Sequence, residues 1–423
     1  MSRILITYES YDPCNQTDTD LFLGLLSTCS HEHTFLHKKE SDITKQDLIS
    51  TDLLILIRPT SLCALELAKA ARRAGIFLVS FFDDDLIHIT KGPHYEHFHW
   101  RRGYAKRVLA LSNLFLCENP LILKEYQPYA KHGRSIVLHP SVTNLEKKQT
   151  PVSDADKTLR VIYAAGPDHS RFFNALVGPA MHDLFLRYPD RVEFTFLGVI
   201  PDLSFFPRGA KIHLFPMVSF SEFTEFLKNG HFDIGIAPLS DMHFYNRKGV
   251  SKYIDYTLAG ALGLYSNCMP YTMAIRQGEN GLLVGNTPDD WLTAFAYCAE
   301  HPEELKRMAR NAQNDLKENY STATVAQSIK KSVPEFFETL SPRTKNVVLR
   351  KNPLAHLLFA WRRCWNEKVL LFLSEKRQNL SEQINSLGFF GAIAYYLKKP
   401  FRRKLRRREK ERPLLERINP RTR

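Results

Sequence analysis

The sequence has no CxxC pair, no full GxGxxG, no P-loop, no GxSxG element and no apolar run long enough to cross a bilayer, about 18 residues. Each absence excludes something. Seven cysteines (Cys14, Cys29, Cys63, Cys117, Cys268, Cys298 and Cys364) are odd in number and scattered, which argues against a structural zinc site and fits a reducing compartment. The N-terminus enters at once into Arg3-Ile4-Leu5-Ile6-Thr7, too short and too early for a secretory leader. A cytoplasmic protein without a membrane span is therefore expected. Hydrolase and NTPase readings lack their nucleophile elbow and phosphate loop, and a dehydrogenase lacks its glycine fingerprint.

What is present is a chain of 423 residues, 44% hydrophobic, enough for two to three domains with sizeable cores. The formal charge of +13 suggests nucleic acid until it is located. Residues 343–423 carry 22 Lys/Arg against 6 Asp/Glu, which leaves the body before them nearly neutral. In that tail, Trp361-Arg362-Arg363-Cys364-Trp365 and Phe389–Leu397 are short aromatic or apolar stretches. The second runs straight into Lys398-Lys399-Pro400-Phe401-Arg402-Arg403-Lys404.

The body alternates short β-rich apolar runs with helical stretches. Strands are expected at 3–8, 33–37, 53–58, 76–82, 114–117 and 135–139, with helices near 19–28, 61–74 and 98–111. The polar, aperiodic segment 143–157 reads as a linker. The pattern then restarts with strands 159–164, 191–197, 211–215, 232–237 and 262–266. Helices are expected at 172–187, 221–228 and 251–260, then 289–300 and 302–318 after a short run at 282–284. Two βαβ series imply an α/β protein with two Rossmann-like, doubly wound domains, 1–142 and 158–342, the latter including the closing helices. Ligands in such sheets sit beyond the carboxyl ends of the strands, so a site is expected in the cleft between the domains.

The most informative stretch is 232–285. Apolar Phe232-Asp233-Ile234-Gly235-Ile236-Ala237 leads through Pro238-Leu239 to a basic loop with Asn246, Arg247 and Lys248, then to Gly249-Val250-Ser251-Lys252-Tyr253-Ile254-Asp255-Tyr256. Ser251 suits an N-cap, and Lys252, Asp255 and Tyr256 then share one helical face. A helix start with a lysine in its first turn is a seat for phosphate, and a carboxylate one turn deeper suits vicinal hydroxyls. An ordinary surface Lys–Asp pair satisfies the same spacing. A second phosphate-facing turn is Gly166-Pro167-Asp168-His169-Ser170-Arg171, where glycine permits close approach and arginine can hold phosphate oxygens in a fork; His169 there is also readable as a turn residue paired with Asp168.

Taken in order, the Phe232–Leu239 strand, the basic loop, Lys252-Tyr253-Ile254-Asp255-Tyr256 and Gly278-Glu279-Asn280-Gly281-Leu282-Leu283-Val284 resemble the donor half of retaining GT-B glycosyltransferases of the group 1, or family 4, type. The resemblance covers about 160–320. It implies that Lys252 and Arg171 act on the donor diphosphate, and that Gly166, His169, Lys248, Ser251, Asp255 and Tyr256 complete the donor site. Asp255 stands where the family usually has Glu, and Arg247 stands where many relatives carry the first acid of an E-x7-E pattern. The resemblance further implies retention, no metal and no cofactor, the nucleotide-sugar being a co-substrate.

On the acceptor side the candidates are Glu9, after the first strand, and Asp84, Asp85 and His88 after the fourth. Asp83-Asp84-Asp85 superficially resembles a metal-binding DxD, but it lies away from the donor motifs. His88, His94, His97 and His99 lack the helical context of a zinc site. The expected function is sugar transfer from a nucleotide-diphosphate donor to a glycan or lipid-linked acceptor in envelope polysaccharide or glycolipid synthesis, at the inner face of the membrane. Residues 389–412 are expected to meet an anionic surface, and no specific nucleic acid is expected. The competing expectation is a GT-B fold with a decayed donor site, acting as a membrane-docked scaffold.

Overall fold

The computed structural model describes residues 2–10, 12–28, 33–88, 101–142, 158–334 and 336. The expected linker, His94, His97, His99 and the basic tail lie outside the described residues.

The first half holds strands β1 (Ser2–Tyr8), β2 (His33–Lys39), β3 (Leu53–Ile57), β4 (Phe77–Phe82), β5 (Leu114–Cys117) and β6 (Arg134–Val137). All neighbouring pairs are parallel, in the order β2-β1-β3-β4-β5-β6. Such a sheet must be covered on both faces, and Leu53-Leu54-Ile55-Leu56-Ile57 is correspondingly buried at every position. Helices α1 (Pro13–Ser27), α2 (Lys45–Ile49), α3 (Leu62–Ala74), α4 (Arg101–Leu111) and α5 (Pro120–Tyr126) cover it. Their limits follow local chemistry. Ser61 caps α3 by accepting from the Ala64 N–H, and Gly75 ends it at φ +68°, a conformation that favours glycine.

The second half repeats the plan with β7 (Leu159–Ala164), β8 (Val192–Leu197), β9 (Lys211–Phe215), β10 (Ile234–Ala237), β11 (Leu262–Ser266) and β12 (Leu282–Val284), parallel in the order β12-β11-β10-β7-β8-β9. The chain winds one way from β7 to β9 and the other way from β10 to β12. The switch point therefore lies between β7 and β10, where a doubly wound sheet opens its binding crevice. The expected helix 172–187 is instead broken. One α-helical turn, α6 (Ser170–Phe172), passes into a π-helical stretch (Phe173–Val177), a 3-10 turn (Gly178–Ala180) and α7 (Met181–Arg187). Pro179 removes a donor inside this segment, and a Cβ at Gly178 would collide with the Phe205 ring. Helices α8 (Phe220–Asn229), α9 (Ser251–Leu258), α10 (Pro288–Glu300) and α11 (Pro302–Asn319) follow.

Two further findings depart from expectation. Helix α12 (Thr322–Ser332), assigned by sequence to the second domain, crosses back to the first. Val325, Ala326, Ile329, Val333 and Phe336 share a core with Leu21, Phe22, Leu25 and Leu26 of α1. The crossing is pinned where Val142 donates to the Tyr320 carbonyl at 2.8 Å. Cys63 is disulfide-bonded, whereas the odd, scattered set of cysteines had suggested a reducing compartment. Spacing alone cannot specify pairing. Among the described residues no helix is long and apolar enough to cross a membrane.

Because Ile329 is buried in the first core, Ile329→Ala is expected to cost about 2–5 kcal/mol. Urea unfolding followed by a probe in 1–142 reads this directly; an unchanged midpoint there contradicts the crossing.

Candidate functional site

At the switch point, β7 ends in the turn Ala165–Arg171 and β10 ends in the loop leading to α9. His169 sits in this turn. Chiefly burial, and beyond it Lys248, Lys252 and Arg171, push its pKa down to about 4 against the pull of Asp168. The imidazole is thus neutral at ordinary pH, and three cations from three separate segments act on it. Arg171 stacks its guanidinium over the Phe172 and Tyr245 rings, 4.8 and 5.1 Å from their centroids, and donates to the Tyr245 hydroxyl. Lys252 lies 3.2 Å from Asp255 one turn on. Its ammonium is 5.3 Å from the Phe223 ring centroid, and both partners of the Lys–Asp pair are partly exposed.

Helix α9 begins at Ser251, the first residue of the expected range. Val250 is its N-cap and no side chain caps it, so Ser251 is an exposed first-turn residue and not the cap. Its free N–H groups stand beside Lys252. Gly166 has φ −69°, which any residue adopts, so its value is confined to small size. The positive-φ glycine of this rim is Gly198, where a Cβ would also press on the Ala165 carbonyl.

Tyr256 does not belong to the site. It is completely buried, donates to the Ile236 carbonyl at 2.7 Å and packs where a Cβ on Gly235 would collide with its ring. The i+4 position that seemed to share a face with Lys252 points into the core between β7 and β10. Asn280 of the Gly278–Val284 motif is likewise fully buried, its amide donating to the Ala274 carbonyl at 3.0 Å and to Tyr253 Oη at 3.1 Å. That loop is framework.

The opposing rim belongs to the first half. After β4, Asp83 and Asp84 meet Arg58 at 3.1 and 3.5 Å. Asp84 also lies 3.4 Å from Lys248, and against the effect of burial Asp84 and Asp83 raise the lysine pKa. Lys248, expected on the donor, thus pairs with an acid of the first half while also acting on His169. Asp85 is fully buried and accepts from Tyr126 at 2.8 Å; hydrogen bonds from His88 and Tyr126 overcome burial and hold its carboxylate below the usual range.

 

Asp85 thus stays ionised beside its neighbours. Arg247, largely buried, donates to both Glu125 oxygens and lies 3.6 Å from Asp85. The acids that it meets come from the opposite half. Asn119 completes the link by donating to the backbone carbonyls of Asn246 and Lys248, both at 2.9 Å. His88 lies 3.1 Å from both Asp85 and Glu125, and His243 lies 3.5 and 3.4 Å from them. Asp85, Glu125 and His243 each offer a ligand atom within 4.8 Å of the others, a set able to hold a metal ion, and Arg247 already supplies positive charge to the same carboxylates. Glu9, the remaining acceptor-side candidate, is engaged by Arg101 in a bidentate pair at 2.7 and 2.8 Å.

Sequence reasoning missed Glu118, Asn119, Glu125 and His243. No motif marks them; they matter because the two halves meet there. A Cβ on Gly249 would collide with the Glu118 carboxylate, which places that acid directly against the donor loop.

No protein-family profile and no curated protein matches the sequence. Solved structures do. Anabaena HepE in complex with UDP and glucose superposes with a TM-score of 0.56 at 12% identity, over 79% of this chain and 100% of that one. A glycosyltransferase from Rickettsia africae gives 0.54 at 12%, covering 81% and 99%. A putative UDP-N-acetylglucosamine 2-epimerase from Listeria monocytogenes gives 0.50 at 11%, covering 79% and 96%. The chain has the GT-B fold, an α/β arrangement of two parallel six-stranded sheets.

Two outcomes follow. Arg247→Ala strands Asp85 and Glu125, and is expected to cost about 3–5 kcal/mol in chemical denaturation, against at most about 1 kcal/mol for removing the exposed Lys306–Glu303 pair. The depressed His169 pKa means that the unfolded chain takes up the proton first as pH falls below 6.5, so stability is lost between pH 6.5 and about 4. Thermal unfolding across that window should show a smaller loss for His169→Gln than for the unsubstituted protein; parallel curves contradict the assignment.

Proposed function

We propose that this protein is a glycosyltransferase that moves a sugar from a nucleoside-diphosphate donor, bound by the second half, to a hydroxyl bound by the first. The observation that carries this reading is the gathering of Arg171, Lys248 and Lys252 around a neutral His169, at the switch point and beside an α9 start with no side-chain cap. Departure of a nucleoside diphosphate builds negative charge as the sugar becomes oxocarbenium-like. Cations and helix N–H groups fixed near the leaving oxygens lower that barrier. Arg171, held by Tyr245, and Lys252 take the diphosphate, with Gly166 and Ser251 at its margin. Asp255 takes the ribose hydroxyls, exchanging its pairing with Lys252 for them. The order of motifs from Phe232 to Val284, and the UDP and glucose bound to HepE, support the same reading.

Retention of configuration, catalysis without a metal, an envelope glycan or glycolipid as acceptor, a cytoplasmic location and docking of 389–412 on an anionic membrane are the finer parts of this proposal. They rest on the motif resemblance and on the composition of the tail. One observation favours a second reading, a GT-B scaffold with a decayed donor site: Arg247 and Lys248 are committed to Glu125, Asp85 and Asp84.

Thermal unfolding in the presence of UDP, GDP, CMP and their sugars separates the two. A nucleotide at 100 times its dissociation constant adds about 2.7 kcal/mol. The expected result is a shift selective for one nucleotide, lost in Lys252→Ala together with about a hundredfold fall in nucleoside-diphosphate release from the matching sugar. No shift with any of them leaves the scaffold reading standing.

A further inference from the structure

Asp85 is fully buried, yet only one of its two oxygens is satisfied. Its Oδ1 accepts from the Tyr126 hydroxyl at 2.8 Å, and from the His88 backbone N–H and Nδ1, both at 3.1 Å. Its Oδ2 accepts no hydrogen bond. Facing Oδ2 are His243 Nδ1 at 3.5 Å and Arg247 Nε at 3.6 Å, both from the loop before α9. A buried carboxylate oxygen without a donor is costly unless something else completes it. Glu125, on α5, turns its carboxylate to the same place, with Oε1 3.4 Å from His243 Nε2. Asp85, Glu125 and His243 each offer one ligand atom, all within 4.8 Å of one another. The local charge points the same way. Asp83, Asp84, Asp85, Glu118 and Glu125 stand near the ends of β4 and β5, and among the described residues only Arg58, Arg247 and Lys248 are the lysines or arginines paired with them.

We propose that Asp85 Oδ2, Glu125 and His243 hold a divalent transition-metal ion of the zinc type, a clasp between the two halves; this goes beyond the glycosyl-transfer reading and does not rest on it. An imidazole with two carboxylates suits a first-row divalent ion better than calcium or magnesium, which take oxygen ligands. Ligands about 2.0–2.2 Å from a tetrahedral centre stand roughly 3.3–3.6 Å from one another. The 3.5 Å between His243 Nδ1 and Asp85 Oδ2 is already such an edge. The bonds to Oδ1 fix Asp85 with Oδ2 toward the loop, as outer partners do for a ligating carboxylate. His243 is more than half exposed, which leaves room for water as a fourth ligand. Arg247 does not fill the place. It engages Glu125 through Nε and Nη2, and a carboxylate has lone pairs for a metal besides. Because Asp85 and Glu125 belong to the first half and His243 to the second, the ion ties the loop before α9 to the opposite rim. Arg171 and Lys252 are not among its ligands, so this ion is compatible with a diphosphate departure that uses none.

The test uses the full chain, treated with EDTA and dialysed, and zinc chloride alone, so its outcome is separate from that of the nucleotide screen. Titration calorimetry should find one ion per chain at a site weakened about tenfold or more by His243→Ala and by Asp85→Asn. His182→Ala, at an exposed histidine on α7, should leave that affinity unchanged. Should Asp85→Asn fail to fold, Glu125→Gln takes its place. Amide hydrogen exchange in 239–249 should slow when zinc binds the unsubstituted protein, and should not respond to zinc in His243→Ala. Cobalt in place of zinc should give visible absorption without the ultraviolet band of cobalt–thiolate coordination, which sets aside the free cysteines. Absence of binding, or an affinity that His243→Ala or the carboxylate substitution leaves intact, overturns the site. A thiolate band assigns the metal to cysteine and overturns it equally. Binding that leaves exchange in 239–249 unchanged overturns the clasp.

Discussion

Six carboxylates, Asp18, Asp83, Asp84, Asp85, Glu118 and Glu125, gather near the carboxyl ends of β4 and β5. Removing that much negative charge from water is costly unless cations and hydrogen-bond donors come with it. The first half supplies Arg58, held at φ +49° at the end of β3. The other cations are on the far side of the cleft, Arg247 and Lys248 on the loop that precedes α9. The charge imbalance of one half is therefore met by the other. The loop before α9 is held where Asn119 can grip its backbone, and α9 starts at the switch point of the second sheet.

The same constraint divides the basic residues of the cleft by task. Arg247 is nearly buried and its fork is filled by Glu125 and the His243 carbonyl, so it acts as a tie between the halves. Lys248 lies between that tie and the His169 cluster, close enough to Asp84 to be raised in pKa and close enough to His169 to help depress it. Arg171 and Lys252 have only light local partners, an aromatic stack and a single carboxylate. An acid at position 247 would face Asp85 and Glu125 as like charges. Arginine there and acids at 85 and 125 form one matched set, so the basic residue at 247 is explained by its surroundings.

Much of this was legible in the sequence where one local rule acts alone. The strands at 114–117 and 262–266 fall where expected, because a mainly apolar run buried in a parallel sheet has little choice of state. The segment 170–187 is less regular than its composition suggested, since Pro179 and close packing at Gly178 break the hydrogen-bond ladder. Helix α12 carries an ordinary amphipathic pattern that says nothing about which of two sheets it will cover. Lys252 and Asp255 were placed together correctly by their spacing. Tyr256 was not, because which of two adjacent positions turns inward depends on how α9 lies over β10 and β11. Glu118, Glu125 and His243 were invisible because their proximity comes from tertiary packing across more than a hundred residues of sequence.

The motif that carried the resemblance proves to be of two kinds. Gly235, Tyr256, Gly278 and Asn280 hold the frame: Gly235 makes room for the Tyr256 ring, and Asn280 ties its loop to Tyr253 and Asp315. Lys252, Asp255 and the residues from Gly166 to Arg171 face the cleft. Frame positions are constrained by shape and by the need to satisfy every buried polar group, demands that the fold imposes whatever the substrate. Cleft positions answer to charge, and charge can be redistributed between the two rims provided the local balance is kept. Arg247 on one rim against Asp85 and Glu125 on the other is one such balance.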